Sequence, residues 1–167
     1  TLNTDPDKDT ANLDVDYLAT ATDNVNDYIP MTYKVGSHEI DGDYDFPVGQ
    51  TRVTIDGQDD AGNVATQTSF YVTVNDAQAP VITPPADQTL NTDPDKDTAN
   101  LDVDYLATAT DNVNDYIPMT YKVGSHEIDG DYDFPVGQTR VTIDGQDDAG
   151  NVATQTSFYV TVNDAQA

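Results

Sequence analysis

The chemistry most densely written into this chain is that of carboxylates. Aspartates alternate with other residues in Asp5-Pro6-Asp7-Lys8-Asp9 and again in Asp41-Gly42-Asp43-Tyr44-Asp45, and a third acidic group lies in Asp59-Asp60-Ala61-Gly62-Asn63. Each Asp-x-Asp-x-Asp run opens like the loop of a helix-loop-helix calcium site, which then needs Gly at its sixth place and Glu at its twelfth. The run from Asp41 has Phe46 and Arg52 at those places, and the run from Asp5 has Thr10 and Asp16. Each run therefore supplies part of an oxygen ligand set and no more. Other site chemistry lacks its partners. His38 is the single histidine of its copy, beside Glu39 and with no cysteine anywhere, so neither a zinc site nor a nucleophile-base pair can be assembled around it; it is expected exposed at a strand end. Aspartates are numerous enough to pair for glycoside hydrolysis, but none is marked by apolar neighbours as an acid of raised pKa. No enzymatic activity is expected.

These residues occur twice. Residues 1–79 recur letter for letter as 89–167, a spacing of 88, joined by Pro80-Val81-Ile82-Thr83-Pro84-Pro85-Ala86-Asp87-Gln88. An active site gains little from an identical adjacent copy, whereas a spacer or multivalent binder gains length or valency. Exact identity means recent homogenisation by recombination or an artificial joining. Each unit is long enough to bury a core of its own, so two domains in series are expected, 1–79 and 80–167, with 80–88 as linker and first strand. The net charge is −25, and each copy carries fifteen acids against Lys8, Lys34 and Arg52. A nucleic-acid partner is thereby excluded, since phosphate binding needs clustered Lys and Arg, and anionic membranes are disfavoured in the same way. Without cysteine the fold uses no disulfide, which suits an exported bacterial repeat protein. No signal peptide or membrane-length apolar run is present, as for an internal piece of a longer chain, and no membrane insertion is expected.

The elements that must position the acids are strands. Apolar and polar residues alternate in Thr10-Ala11-Asn12-Leu13-Asp14-Val15-Asp16, in Thr32-Tyr33-Lys34-Val35, in Arg52-Val53-Thr54-Ile55-Asp56, and in Thr68 to Val74, where Phe70, Val72 and Val74 share a face. Turn signals separate them at Asp5-Pro6-Asp7, Asp23-Asn24, Gly36-Ser37, Asp41-Gly42, Phe46-Pro47-Val48-Gly49 and Asp59 to Asn63. About seven short strands per unit at this spacing predict an all-β fold of tandem immunoglobulin-like Greek-key β-sandwiches. Lys34 falls on the polar parity and should face solvent, which argues against an isopeptide bond. Tyrosine supplies ten of fourteen aromatic residues. Tyr17, Tyr28 and Tyr44 are placed in or near loops, where they would close the ends of the core or offer sugars and proteins an apolar face with a polar tip. The Thr-x-Thr steps at Thr20 to Thr22 and Thr66 to Thr68 are too few for ice binding.

The segment from Ala79 through Pro80-Val81-Ile82-Thr83-Pro84-Pro85 to Leu90, then Ala109-Thr110-Asp111-Asn112, Phe134-Pro135-Val136-Gly137, Asp148-Ala149-Gly150-Asn151 and a closing Phe-x-Val-x-Val strand resemble, in order and spacing, a hyalin repeat domain. The resemblance covers essentially the whole 88-residue unit. It implies an immunoglobulin-like sandwich without catalysis, in extracellular proteins of adhesion, including the tandem extender regions of large bacterial adhesins. Many members place cysteines near the Phe-Pro-Val-Gly and Asp-Ala-Gly-Asn motifs; this chain has none, so another clamp must replace them.

Strand direction sorts the acids and points to calcium. Loops after odd strands lie at the trailing end of a sandwich and those after even strands at its leading end. Asp5, Asp7 and Asp9 should therefore lie near Asp76, and Asp23 and Asp27 near Asp59, Asp60 and Asn63. Between tandem copies, Asp5, Asp7, Asp9 and Asp76 would face Asp111, Asp115, Asp147, Asp148 and Asn151, with Asp87 on the linker. Such a gathering of carboxylates suits Ca²⁺, which takes roughly six to eight oxygens in flexible geometry; the alternative is a solvated acidic surface. The expected function is a non-catalytic, rod-like extender of a large adhesin on the bacterial cell surface, neighbouring identical repeats being its partners and calcium together with Pro80, Pro84 and Pro85 stiffening the hinge. The alternative is an adhesive module that binds glycan or protein through loop Tyr and Asp. Copy one lacks the Pro-Val-Ile-Thr strand, so it should have an open edge, be the less stable copy, and lend itself to a domain-swapped dimer.

Overall fold

The computed structural model describes residues 1–165 and divides into two compact units, Thr1–Ala77 and Gln78–Ala167. Unit 1 has seven strands: β1 (Leu2–Asn3), β2 (Thr10–Asp14), β3 (Met31–Val35), β4 (His38–Ile40), β5 (Asp43–Pro47), β6 (Gly49–Gly57) and β7 (Thr68–Asn75). Five form one sheet in the order β1-β7-β6-β3-β4, and β2 pairs with β5 in the other. Antiparallel ladders build the large sheet except at its edge, where β1 runs parallel to β7 with Leu2 opposite Val74. That parallel edge strand fixes the direction of every loop that follows.

Alternation decides which side chains go in. Val53 and Ile55 on β6 and Val72 and Val74 on β7 point to one face, and they close on Ala11, Val15 and Phe46 from the β2–β5 side. Phe46 is fully buried and meets Tyr44 edge-on with ring centroids 4.8 Å apart, an arrangement that aromatic quadrupoles favour. Tyr44 therefore belongs to strand β5, opposite Leu13, and not to a loop. The run Asp41 to Asp45 is likewise no calcium loop: only Asp41 and Gly42 turn, and Asp43 and Asp45 project from the extended chain. Lys34 lies on the outer face, as its parity implied, with 34% of its side chain exposed. Its Nζ reaches Asp56 Oδ2 across the sheet at 2.9 Å. At the β3–β4 turn, Val35 pairs with His38 and Gly36 adopts a φ of 60°, the left-handed conformation that glycine enters without penalty. His38 is exposed.

Unit 2 repeats these seven as β9 (Gln88–Asn91), β10 (Thr98–Asp102), β12 (Met119–Val123), β13 (His126–Ile128), β14 (Asp131–Pro135), β15 (Gly137–Gly145) and β16 (Thr156–Asn163), and adds β8 (Val81–Thr83) and β11 (Thr108–Thr110). The Pro-Val-Ile-Thr segment expected as first strand is present as β8, and a further strand follows it. Val81 to Thr83 pairs antiparallel with β11, and after Pro84 and Pro85 the chain continues as β9, parallel to β16 in the five-stranded sheet. Proline cannot donate to a ladder, so the pair of prolines marks where the chain leaves one sheet for the other. The extra strand enlarges the core. Ile82, Ala107, Ala153 and Phe158 are buried in unit 2, whereas Ala19 and Phe70 are only partly covered in unit 1 and Ala65 is exposed. Among the described residues no helix is long and apolar enough to cross a membrane.

Candidate functional site

At the leading end of each unit two loops are tied together through asparagine. In unit 1, Asn26 Nδ2 donates to Asp60 Oδ2 at 2.8 Å, bridging the loop after β2 to the loop after β6. Asp23 Oδ2 accepts the backbone N–H groups of Asn26 and Val25, and these bonds hold its carboxyl below the ordinary carboxylate value. Asp59 accepts both the backbone and the side-chain N–H of Asn63 at 2.7 Å, closing the turn in which Gly62 takes a φ of 90°.

Unit 2 keeps every one of these bonds. Asn114 Nδ2 donates to Asp148 Oδ2, Asp111 Oδ2 accepts from Val113 and Asn114, and Asp147 is clasped by Asn151 through two bonds of 2.7 Å. In unit 2, β11 carries the chain in strand form directly up to Asp111, whereas Asp23 follows irregular chain. Asp147 is 6% exposed, and one of its carboxylate oxygens lies within 4.8 Å of one from Asp111. Asp111 Oδ1 is buried and accepts no hydrogen bond. A buried acceptor without a donor costs about 1–3 kcal/mol, and more when charged. Two close carboxylates, one with an unmet oxygen, present the hard donors that a divalent cation of the calcium type takes. Asp115 and Asp148 are exposed beside them.

The trailing-end acids hold their own loop. Thr4 N donates to Asn75 O, which lays the loop after β1 beside the end of β7, and Asp76 follows directly. Asp5 Oδ2 accepts the N–H of Asn12 and meets Lys8 Nζ at 3.6 Å; Asp7 turns the chain at a φ of 58°, which Asp tolerates; the Asp9 carbonyl accepts from Val48. Asp87, expected on the linker among the junction acids, accepts the N–H of Tyr159 on β16 through its Oδ1.

A second feature occurs once in each unit. Asp16, Tyr17, Tyr28, Met31, Tyr33 and Asp41 line a cavity of about 170 Å³, and Asp104, Tyr105, Tyr116, Met119, Tyr121 and Asp129 line its counterpart of about 240 Å³. Tyr17 and Tyr105 are 88% and 89% exposed and stand at φ of 66° and 63°, a conformation uncommon for a bulky residue. The floor is fixed by Tyr121, whose hydroxyl accepts the N–H of Ala107 at 3.1 Å. Burial raises the pKa of that phenol, the Ala107 bond lowers it in part, and the charge of Asp104 raises it again.

Comparison with known proteins places this geometry. A family model described as "HYR domain" matches residues 75–162. The chain belongs to the HYR domain family. Two relatives carry the name Hyalin: one from Lytechinus variegatus, 41% identical over 120 residues, and one from Strongylocentrotus purpuratus, 39% identical over 149 residues. The matches cover 71% and 86% of this chain but 21% and 11% of those proteins. Among solved structures, the fibronectin(III)-like modules of Clostridium thermocellum CbhA align over 98% of this chain and 90% of that one, with 15% identity and a TM-score of 0.38. Drosophila N-cadherin EC1-3 aligns over 84% and 57%, with 13% identity and a TM-score of 0.41. At these scores the fold rests on the strand order of the HYR units themselves.

Within the HYR units, the structure brings together Asp111 with Asp147, and Asp148 with the facing loop through Asn114, as strand direction implied. The residues that sequence reasoning passed over are Asn26 and Asn114, which do the bridging. Their signal was the Asp-Asn-Val-Asn run, in which Asp begins an Asx turn and the second Asn, three residues on, is carried across to the facing loop.

Proposed function

We propose that the chain is a non-catalytic spacer of a large extracellular adhesin, of the kind bacteria display, in which identical HYR units add length and calcium stiffens the chain between them. The name Hyalin among its relatives supports an extracellular, adhesion-related module, and the letter-for-letter repeat supports length as the selected property. The observation that carries the calcium part is the Asp111–Asp147 pair, with Asp111 Oδ1 buried and unmet. Asp111, Asp147 and the adjoining Asp148 would hold the ion, and the linker that enters this unit would lose freedom when it binds. Calcium supplies charge neutralisation here and no reaction. The test is thermal unfolding of the tandem chain in calcium and in chelator: a higher midpoint in calcium is expected, because a ligand bound only to the folded state stabilises it by mass action, and coincident midpoints would remove calcium from the proposal.

A second reading, recognition of a glycan or protein ligand, is favoured by the tyrosine-lined cavity at Tyr17 and Tyr28 and its twin at Tyr105 and Tyr116. Exposed aromatic faces beside Asp16 and Asp41 suit a ligand that offers an apolar face and hydrogen-bond donors. A glycan array probed with the tandem chain, and with a Tyr17→Ala/Tyr105→Ala double variant, separates the two readings. A pure spacer retains nothing.

A further inference from the structure

The tyrosine-lined cavity forms in both units from the same residue types at the same spacing, so each unit builds it alone. In unit 2, Tyr121 is buried and Met119 half-buried, while Tyr105 and Tyr116 are 89% and 74% exposed. Rings so exposed close no core. Tyr105 stands third in the turn Val103–Leu106, which the Leu106 N–H closes on the Val103 carbonyl at 3.4 Å, and its φ is 63°. A turn position of positive φ favours Gly or Asn, so the chain carries a bulky ring where the backbone alone would select a residue without one. Tyr17 repeats this at 66°.

The polar groups of the cavity select the ligand. Among the described residues lining it there is no Lys, Arg, Asn or Gln; the side chains offer the carboxylates of Asp104 and Asp129 and three phenol hydroxyls. Asp104 is fixed there, its Oδ1 accepting the N–H of Gly130 at 3.1 Å. Burial first, and the Asp104 charge after it, raise the pKa of the Tyr121 phenol, so a neutral ring faces the carboxylate. A net charge of −25 repels anions from the whole chain and draws cations to it. The volume of about 240 Å³ lies below the roughly 300–1,000 Å³ of pockets for drug-sized ligands, which leaves room for a headgroup. We infer that each unit binds an alkylated ammonium group, carried by a small quaternary amine or by a methylated lysine. The inference rests on the second reading above, that this cavity takes a ligand, and narrows what the ligand is. Tyrosine faces attract a cation through the ring quadrupole, the methyl groups meet rings and the Met119 thioether, and Asp104 and Asp129 balance the charge. A primary ammonium would instead bring three N–H donors against walls that are largely ring face.

The test uses the full chain in chelator, so that no divalent cation competes for the carboxylates. Choline and trimethyllysine capped at both ends are titrated separately, beside capped unmodified lysine and the uncharged isostere of choline in which a tert-butyl group replaces trimethylammonium. Binding is read from the upfield movement that ring faces impose on the ligand's proton resonances. Saturation by choline, by trimethyllysine or by both is expected in the millimolar range, about tenfold tighter than by the isostere or by lysine. Choline alone would assign a free solute and trimethyllysine alone a modified protein, and either supports the inference. A Tyr17→Asn/Tyr105→Asn chain, in which Asn accepts the positive φ, is expected to melt with the parent and to lose the response; full retention would overturn the inference. Asp41→Asn/Asp129→Asn should weaken choline several-fold and leave the isostere unchanged. Equal binding of choline and its isostere would overturn the inference while leaving the cavity a binding site, and equal binding of trimethyllysine and lysine would do the same. No saturation by either quaternary ligand would also overturn it, and the glycan array would then decide the wider reading by itself.

Discussion

The Cδ1 atom of Ile82 lies 3.0 Å from the place a Cβ on Gly145 would occupy. Carbon atoms pack best at about 3.5–4.0 Å, so a methyl group there forces the buried isoleucine aside. The same substitution in unit 1 meets Ile29 Cγ2 at 3.5 Å and Ala65 Cβ at 3.7 Å, ordinary contact. Gly145→Ala is expected to cost about 1 kcal/mol or somewhat more, the usual penalty of overpacking. Gly57→Ala should be neutral or stabilising by about 0.4–1 kcal/mol, since alanine restricts the unfolded chain. Denaturant unfolding of the two variants checks this, and equal effects would mean that Ile82 does not fill the position.

Removal of a core aromatic ring should be costly in both units. Phe46 and Phe134 are fully buried, each packed edge-on against its neighbour Tyr44 or Tyr132 at 4.8 Å. Phe→Ala at either position is expected to destabilise by about 3–5 kcal/mol. Since a small domain holds only about 5–15 kcal/mol in all, Phe46→Ala should bring unit 1 near unfolding first, its core being the smaller by Ile82, Ala107, Ala153 and Phe158. Calorimetry would show the lower transition moving further for Phe46→Ala than the upper one does for Phe134→Ala.

How much of this was legible beforehand follows from period and parity. The alternation of Val53 with Ile55 and of Val72 with Val74 announced the inner faces, because a strand turns successive side chains to opposite sides. Strand direction then sorted the acids by end, and the Asn26–Asp60 bond joins the two loops so predicted. Parity could not tell that Lys34, on the outer face, would find Asp56 on the adjacent strand, nor that Tyr44, flanked by aspartates, would be extended and packed on Phe46. Both depend on cross-strand register, which local pattern does not fix. The split of Val81 to Asn91 into strands on two sheets was signalled only by Pro84 and Pro85. The bond that Asp87 makes was equally invisible to local pattern: its partner is a backbone N–H seventy-two residues on.

The cross-strand ion pairs give the fold a pH signature. Hydrogen bonds from Lys122 first and Gln155 second lower the pKa of Asp144 below 3.8, as Lys34 and Gln67 do for Asp56. A depressed carboxylate contributes stability that is complete above its unfolded pKa and is lost as pH falls through its lower folded value. The lysines, raised above 10.5 chiefly by the same hydrogen bonds, contribute below 10.5 and lose that contribution as pH rises through their folded values. Lys122→Met should therefore be less stable than the parent at neutral pH, and the gap should narrow as pH falls below about 4 and Asp144 protonates. A gap that stays constant over this interval would show the pair to be energetically silent.

Asp111 offers the sharpest separation of charge from shape. Its Oδ2 holds the turn by accepting from Val113 and Asn114, a task an amide oxygen performs equally well, while its Oδ1 is buried without a partner near Asp147. Asp111→Asn thus keeps the turn and removes one negative charge from the pair. In chelator the variant is expected to melt no lower than the parent, and slightly higher if repulsion from Asp147 is felt. In calcium the order should invert, because the variant lacks an anionic ligand that a hard cation requires. Asp147→Asn is the weaker probe, since both of its oxygens are already occupied by Asn151 and the substitution would set two amides against each other. The inversion of melting order between chelator and calcium is the quantity to measure; a variant that stays below the parent by the same margin in both would mean that the Asp111 charge serves the fold and not an ion.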